Sequence, residues 1–335
     1  MFAYIVKRLI SGVVVLFLVS ISIFLLFWYG PSSPASPLCQ QMTSNHCTKE
    51  RLATFEHRLG YDKSWTSQYG VYMKGIFVGR EVSFGATKID CNAPCFGVSY
   101  KTQRPVWEEM KSRLPATASV AFGGAILAVV LGVPIGVAAA RRRGTTGDKV
   151  LVSSFLVISS IPYYLWALLL WLYVTLVIGV PGIKTTGYFP ITDNPVKWLG
   201  GMALAWIALG LFNCTLYTRY ARASMVETLS EDYVRTARAK GLPEGRIVYK
   251  HALRAALVPV VTIFGIDLGT LLAGTIFTEK IFGIQGIGYW SLDAVYSRDL
   301  PIVSATALFS ATVMIICNLV VDLVYGVLDP RVRIG

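Results

Sequence analysis

Residues 114–140 read LPATASVAFGGAILAVVLGVPIGVAAA and contain no charged side chain. Arg113 precedes this run and Arg141 follows it. Crossing a hydrocarbon core about 30 Å thick takes about 20 helical residues, so an uncharged run of this length is typical of a membrane-spanning helix. The run therefore predicts an integral membrane protein.

The composition of the whole chain supports this prediction. Of its 335 residues, 54% are hydrophobic and only 15% are charged, whereas soluble domains carry about 25% charged residues. The net charge of +12 could indicate a nucleic-acid partner. However, the basic residues stand in short blocks between apolar runs, which is how membrane proteins fix their orientation. No recognition-helix pattern, zinc-ligand spacing or RNP-like strand accompanies them, so we expect no nucleic-acid partner.

Six stretches are long and apolar enough to span a bilayer. The first is longer than the apolar part of a signal peptide, and the Pro-Ser-Ser-Pro-Ala that follows is a poor cleavage site, so we interpret it as a retained anchor. The fifth and sixth each contain a single charge, Asp267 and Asp322. The six predicted spans are residues 9–29, 114–140, 150–179, 198–218, 255–278 and 301–328.

The basic residues between the spans predict the orientation. Sixteen lie in the N-terminus, the 141–149 and 219–254 segments and the tail, whereas the 180–197 and 279–299 loops together carry four. Basic residues stay in the cytoplasm, so both termini are expected on the cytoplasmic side of the membrane. The expected organisation is an anchor span (1–29), an extracytoplasmic loop domain (30–113), a five-span core (114–328) and a cytoplasmic tail (329–335).

The cysteines agree with this orientation. Four of the six lie in the segment predicted to be outside, where disulfides persist. Four cysteines allow three pairings, and nearness in the sequence favours Cys39–Cys47 and Cys91–Cys95. A zinc site is the rival interpretation, although neither pair has the CxxC spacing of zinc ligands.

The segment 30–113 is too polar to span the membrane. Apolar and aromatic residues recur in it at roughly helical spacing between residues 51 and 79, which indicates amphipathic helices. Two interpretations stay open: a small cap that packs on the pore mouth, and a docking platform for an external substrate carrier.

The segment 219–254 is predicted to form a capped, cationic helical hairpin in the cytoplasm. Ser230 supplies a capping side chain, and Glu231 and Asp232 place acids at the start of a helix over 233–240. Gly241 suits a left-handed position after that helix, and Pro243 prevents its continuation. A second helix, 244–257, is expected to run on into the fifth span. Tyr233, Val234 and Ala237 are available for one face, with Arg235, Arg238 and Lys240 outside. The alternative is an ordinary basic loop that only fixes the topology.

Residues 230–242, SEDYVRTARAKGL, resemble the cytoplasmic motif of the dipeptide, oligopeptide and nickel permeases of ABC importers. Importers in general carry Glu-Ala-Ala followed three residues later by Gly; this chain has Arg235-Thr236-Ala237 and keeps Gly241. His251 and Arg254 also depart from the general pattern. Further blocks are similar to the same family in the same order: residues 4–9, 113–117, 159–162, 251–254, 257–260, 274–279, 286–288, 298–301 and 328–331.

The resemblance implies an all-α integral membrane protein with six transmembrane helices, the type I ABC importer permease fold, and a small external loop domain between spans one and two. It also implies three kinds of partner: a homologous second permease subunit, two cytoplasmic ATPase domains that hold ATP and magnesium, and an external substrate-binding protein. No GxxxxGK[ST] pattern occurs in the chain, so we expect no cofactor and no catalytic role here. The residues implied in ATPase coupling are Ser230, Glu231, Asp232, Tyr233, Arg235, Thr236, Ala237, Arg238, Ala239, Lys240, Gly241 and Leu242.

Asp267 is the outstanding polar residue inside a predicted span. A carboxylate in lipid is costly, so it should face a cavity or a partner. It either lines the translocation path, where it could meet the amino group of a peptide, or makes a hydrogen bond between helices.

The cargo and one rival class of protein stay open. Peptides are preferred to nickel chelates because the spans contain no set of soft metal ligands. A secondary transporter that needs no ATPase would show internal repeats with broken helices, or a relay of buried charges, and the sequence shows neither.

Overall fold

The computed structural model describes residues 2–29, 33, 35–43, 46–59, 62–84, 87–178 and 187–328. The predicted tail (329–335) and Gly179, the end of the third predicted span, lie outside these residues. The helices are α1 (Phe2–Trp28), α2 (Ser36–Met42), α3 (Lys49–Leu59), α4 (Trp65–Val78), α5 (Val106–Arg141), α6 (Thr146–Ser160), α7 (Tyr163–Leu172), α8 (Pro195–Leu229), α9 (Asp232–Ala239), α10 (Glu244–Arg246), α11 (Leu253–Ala273), α12 (Ile276–Ile281), α13 (Ile287–Ser297) and α14 (Leu300–Leu328). The π-helical segments Tyr173–Ile178 and Ile247–Ala252 continue α7 and precede α11, and the strands are β1 (Arg80–Phe84) and β2 (Thr87–Cys91).

Within the described residues, five continuous helical rods are long and apolar enough to cross a membrane. They coincide with the first, second, fourth, fifth and sixth predicted spans. Their bounds are Val6–Trp28, Val106–Arg141, Pro195–Leu229, Glu244–Ala273 and Leu300–Val324.

The third predicted span, 150–179, is a bent pair of helices. The segments Thr146–Ser160 and Tyr163–Ile178 meet at 94°, and six spans result if the pair counts as one. Pro162 causes the break, because the ring of a proline disfavours the helical conformation of the residue before it. Ile161 accordingly has extended backbone angles (φ −79°, ψ 128°).

The fifth span is shorter than predicted. Its helix ends at Ala273, where Gly274 takes φ 135°, and the short helix α12 follows. The expected end at residue 278 was therefore five residues too late.

The chain forms two compact units. One comprises residues 116–285 with 316–335, and the other residues 2–115 with 286–315.

In the first unit, α5 and α8 approach closely at Gly132 and Gly136: a Cβ on Gly136 would lie 2.6 Å from the carbonyl oxygen of Thr218. Two glycines four residues apart let membrane helices bring their backbones together. The hydroxyl of Thr218 uses this proximity to donate to the Gly132 carbonyl at 3.1 Å.

The second unit also contains one two-stranded antiparallel sheet, a small addition to the helical fold that was predicted. Arg80 on β1 pairs with Cys91 on β2 at one end of this ribbon. The alternation of Val82 and Phe84, and of Ile89 and Cys91, is the period-two signal that could have revealed it.

Both disulfides that nearness favoured are formed. Cys39 and Cys47 have their Cα atoms 5.6 Å apart, and Cys91 and Cys95 have theirs 5.4 Å apart. Cys39, Cys91 and Cys95 are buried. The bridges therefore stabilise a small core whose partly buried members include Phe55 and Ile89.

Candidate functional site: a helical hairpin and intramembrane polar residues

The hairpin begins where α8 ends, and its first turn differs from the prediction. Ser230 terminates α8, and its hydroxyl donates to the carbonyl of Glu227 at 2.6 Å. The residue that precedes α9 is Glu231, whose side chain makes no capping hydrogen bond. The capping role expected of Ser230 was therefore wrong, although Asp232 does place an acid in the first turn of α9.

The C-terminal end of α9 closes as a Schellman motif. Gly241 takes a left-handed φ of +72° and donates from its backbone N–H to Arg238 O at 2.9 Å. The N–H of Leu242 donates to Ala237 O at 3.3 Å. These are the two bonds of the motif, and Leu242 also supplies the apolar contact that accompanies it, because it packs with Ala237 in one cluster.

The two faces of α9 differ sharply. Val234 is fully buried and Ala237 nearly so. Tyr233 was expected on the same face, but it is 46% exposed and lies on the other one. The residues presented outwards at the hairpin are Glu231, Asp232, Tyr233, Arg235, Thr236, Arg238, Ala239, Lys240 and Gly241.

An apolar cluster fastens the inner face of α9 to three membrane-spanning helices. Val234 and Ala237 pack in it with side chains from the C-terminal parts of α5 and α8 and from the rod that leads into α11. Each Å² of apolar surface buried in this cluster stabilises the packing of α9 by about 25 cal/mol. We therefore expect α9 to stay attached to these helices when they move. The other buried members are Val137, Ala140, Met225, Ile247, Val248, Ala252 and Ala256.

Arg238 ties the hairpin together at its outer surface. Its guanidinium donates to both carboxylate oxygens of Glu244, at 2.8 and 3.2 Å, and to the carbonyl of Leu229 at 3.5 Å. The Glu244 carboxylate raises the pKa of Arg238 above its ordinary value. The sequence placed this arginine outside, but did not reveal that it bridges the end of α8 to the start of α10.

A second ion pair lies at the start of α6, and the sequence did not reveal it. Arg222 of α8 donates to both oxygens of Asp148, at 2.6 and 2.7 Å. The same carboxylate accepts from the N–H of Gly144 at 3.0 Å, and the hydroxyl oxygen of Thr145 accepts from the N–H of Asp148 at 3.3 Å. Asp148 is only 5% exposed, so this is a buried connection between α6 and α8.

Asp267 of α11 accepts a hydrogen bond from the hydroxyl of Tyr217 on α8, at 2.8 Å. Tyr217 is fully buried, whereas Asp267 keeps partial exposure. The carboxylate therefore joins two membrane-spanning helices and also retains an accessible side.

Glu279 is a buried carboxylate that the sequence did not distinguish from the outer loop around it. It lies on the short helix α12 and is 0% exposed. It accepts from the hydroxyl of Thr117 on α5 at 2.8 Å and from that of Thr275 at 3.4 Å. The Thr117 contact shows that the burial of this acid depends on how α12 packs against other helices.

No group of three or more His, Cys, Asp or Glu side chains that could hold a metal ion occurs in the described part of the chain. The four cysteines between the first two spans, which were considered as zinc ligands, form the two disulfides instead.

Two family profiles match the chain. Residues 132–334 match the binding-protein-dependent transport system inner membrane component, and residues 1–121 match the N-terminal part of the same kind of component. The chain is 36% identical over 99% of its length to the dipeptide transport system permease protein DppB of Escherichia coli (strain K12), covering 99% of that protein. It is 35% identical to the di/tripeptide transport system permease protein DppB of Pseudomonas aeruginosa (strain UCBPP-PA14), over 90% of each chain.

Among solved structures, the fold is similar to that of a chain of the inward-facing MetNI methionine ABC transporter. The TM-score is 0.54 at 15% identity, and the match covers 67% of this chain and 97% of that one. This likeness supports the type I importer fold. Since the family profile covers residues 132–334, and full-length relatives exceed 30% identity, the chain belongs to the family of binding-protein-dependent transport system inner membrane components.

Proposed function

We propose that this chain is a transmembrane permease subunit of an ATP-driven ABC importer and forms half of the translocation pathway for dipeptides or oligopeptides. The full-length relatives support the cargo class, because they are permeases of dipeptide and di/tripeptide transport systems. The proposed role is non-catalytic, with ATP and magnesium bound by partner subunits. The observation that carries the proposal is the rigid helix α9, exposed on one face and packed on three spans by the other.

The proposed partners are a homologous second permease subunit, two cytoplasmic ATPase domains and an external substrate-binding protein. Membership of the family supports the ATPase and the binding protein. The proposed ATPase contact is the hairpin 230–242, of which Tyr233, Arg235 and Thr236 lie on the exposed face of α9.

The geometry suggests how a push on α9 reaches the pathway. The Schellman turn and the Arg238–Glu244 pair hold α9 at a set angle to the rod 244–273. The apolar cluster on the inner face of α9 transmits the movement of α9 to α5, α8 and α11, because packed interiors are dense and barely compressible. Closure of the ATPase domains would then rock these spans between inward- and outward-facing states.

Asp267 is proposed to line the translocation path. Its partial exposure supports this role, because a carboxylate within a span is costly in contact with lipid and usually faces the interior of the bundle or a water-filled cavity. Tyr217 orients it from the buried side.

The chain is proposed to place both termini and the hairpin in the cytoplasm, with the 30–113 segment outside. The excess of basic residues in the inner segments supports this orientation. So do the two disulfides, which form in oxidising compartments.

The partner assignment is tested by co-purification. An affinity-tagged chain is expressed with its neighbouring subunits, and the ATPase that is retained after detergent extraction is quantified. Arg235→Glu on α9 is expected to lower ATPase retention severalfold, because it reverses a charge at the centre of the proposed contact.

Arg143→Glu is the matched control, since Arg143 is also exposed and basic but lies outside the hairpin. Equal retention of the ATPase by both variants would count against the hairpin as the docking surface. Uptake of a labelled dipeptide and of nickel chelate by cells that contain the complete system tests the cargo, and uptake of nickel alone would refute the peptide assignment.

A further inference from the structure

A cavity of about 560 Å³ lies within the unit formed by residues 2–115 and 286–315. Sites that bind small ligands enclose about 300–1,000 Å³, so the cavity has the size of a ligand site. It is neither the hairpin nor the surroundings of Asp267, and the proposed transport cycle does not use it. Its walls are of two chemical kinds.

The apolar wall is built by two membrane-spanning helices. One side of α1 contributes Ile23, Phe24 and Phe27, and α14 contributes Leu300 and Leu308. The lining residues run from Ser20 to Trp28 on α1 and from Leu300 to Leu308 on α14, which is eight steps of about 1.5 Å, or about 12 Å, along each helix. The lining of α1 ends at Trp28, and a tryptophan at the end of a span is typical of the membrane interface. The wall therefore descends from the interface into the hydrocarbon region.

Aromatic rings hold the apolar wall in place. Phe24 stacks on Trp28 with the ring centroids 5.7 Å apart, and it meets Tyr69 of α4 edge-on at 5.4 Å. The hydroxyls of Ser20 and Tyr69 are hydrogen-bonded at 2.7 Å. These contacts fix α1 against α4, so this wall is formed before any ligand arrives.

The opposite wall is charged and belongs to the segment between the first two spans. Lys63 follows α3, and Arg80 and Glu81 begin β1. The guanidinium carbon of Arg80 lies 5.9 Å from the ring centroid of Tyr72, a lining residue whose pKa burial raises to about 12, so its hydroxyl stays neutral.

The carboxylates of this wall are already engaged. Asp62 is 2.8 Å from the ring nitrogen of His57, which lowers the pKa of that carboxyl, and Glu81 is 3.2 Å from Lys88. Lys63, Arg80, Asp62 and Glu81 line the cavity, whereas Lys88 does not line it but neutralises Glu81. The two lining cations are therefore opposed by one further carboxylate, Asp62. The wall is suited to a ligand with a negative group.

We propose that this cavity binds one anionic phospholipid. An acyl chain lies along Phe24, Phe27 and Leu308, and the phosphate lies near Lys63 and Arg80. The combination requires an amphiphile, because one wall lies at the depth of the hydrocarbon and the other is charged. A short hydrophilic peptide fits the charged wall but would place unpaired backbone groups against the apolar wall, which costs several kcal/mol per group.

The proposal is tested by native mass spectrometry of the complete chain, purified from nanodiscs of phosphatidylglycerol or of phosphatidylcholine. The wild type is expected to retain one phosphatidylglycerol in preference to phosphatidylcholine. Lys63→Glu is expected to lower that preference about fivefold, because one basic group near an anionic lipid surface contributes about 1 kcal/mol. Lys74→Glu is the matched control, since Lys74 is exposed on α4 and does not line the cavity.

Leu308→Trp tests the apolar wall by filling the cavity and should abolish retention of both lipids. Leu26→Trp is its control, because Leu26 is 68% exposed and absent from the lining. Thermal unfolding of each variant shows whether it is folded. If Leu308→Trp does not fold, the comparison of Lys63→Glu with Lys74→Glu still tests the proposal. Equal loss of lipid in Leu308→Trp and Leu26→Trp, equal preference in Lys63→Glu and Lys74→Glu, or displacement of the lipid by a dipeptide would overturn the proposal.

Discussion

At the scale of single residues, Gly241 determines the turn that follows α9. Its φ of +72° is a conformation that costs an L-residue with a side chain about 1–2 kcal/mol. No atom lies within 4 Å of a Cβ placed there, so the requirement for glycine comes from the backbone and not from crowding. A substitution therefore strains the turn without disturbing the packing below it.

Gly241→Val is expected to reduce peptide uptake per ATP hydrolysed, because the strained turn no longer holds α9 at its angle. The measurement is uptake and ATP hydrolysis in the same proteoliposomes. Gly245→Val is the control: a Cβ there also meets nothing within 4 Å, but the residue is helical. Gly241→Asn should keep most of the coupling, since asparagine tolerates the left-handed region. Normal coupling in Gly241→Val would contradict the proposed lever.

The Tyr217–Asp267 hydrogen bond allows the structural and the transport role of Asp267 to be separated. Tyr217→Phe removes the donor and should destabilise the purified protein by about 0.6 kcal/mol, the average for such bonds between membrane helices. Asp267→Asn keeps an acceptor oxygen, so we expect little change in thermal unfolding but reduced uptake of peptides. Unimpaired uptake by Asp267→Asn would show that the charge is not essential.

At the scale of elements, the buried Asp148–Arg222 pair fixes how α6 meets α8. This pair matters because α6 ends at the bend before α7, so α7 does not fix the position of the first turn of α6. Two charge-assisted bonds, the Gly144 N–H and the Thr145 cap all converge on its first turn. The start of α6 is thus fastened to α8 before the chain bends at Pro162.

Asp148→Asn and Arg222→Met are each expected to lower the free energy of unfolding by about 1–3 kcal/mol, because each removes one member of a charge-assisted pair whose carboxylate is buried. The double variant should lose less than the sum, with a coupling energy above about 1 kcal/mol, as measured by thermal unfolding in detergent. The Glu81–Lys88 pair is the control: its side chains are 61% and 71% exposed, and its coupling should stay below about 1 kcal/mol. Additive losses at Asp148 and Arg222 would refute the fastening role.

At the scale of the whole molecule, the proposed orientation makes opposite labelling predictions for cysteines in the 30–113 segment and for a cysteine on the hairpin. With the disulfides outside, the thiols of residues 39, 47, 91 and 95 should resist a membrane-impermeant maleimide in intact cells and react after reduction. Lys240→Cys on the hairpin should react only in inverted vesicles. Labelling of Lys240→Cys from outside would reverse the assigned orientation, and labelling of all four native thiols without reduction would exclude the disulfides.

The sequence alone determined the class of the protein, the five straight spans, the helix α9 and its glycine turn. These follow from properties that run along the chain: the length of uncharged runs against the thickness of a bilayer, the distribution of basic residues, and capping chemistry within a few residues. Of the expectations that were wrong, the end of the fifth span depends on a local residue, Gly274, whereas the role of Ser230 and the face of Tyr233 depend on the neighbouring elements. Ser230 was assigned to α9 because the end of α8 was not visible in the sequence, and Tyr233 was placed inside because an eight-residue helix gives few positions from which to choose a face.

Only the tertiary structure decided which polar residues are buried and what they meet. Asp148 and Arg222 are separated by 74 residues, and Glu279 and Thr117 by 162, so no local pattern reveals either contact. A carboxylate is tolerated inside only where a donor from another element reaches it, and that depends on how closely helices such as α5 and α8 approach. The same holds for the amphiphile-sized cavity, whose apolar and charged walls come from helices and a strand far apart in the chain.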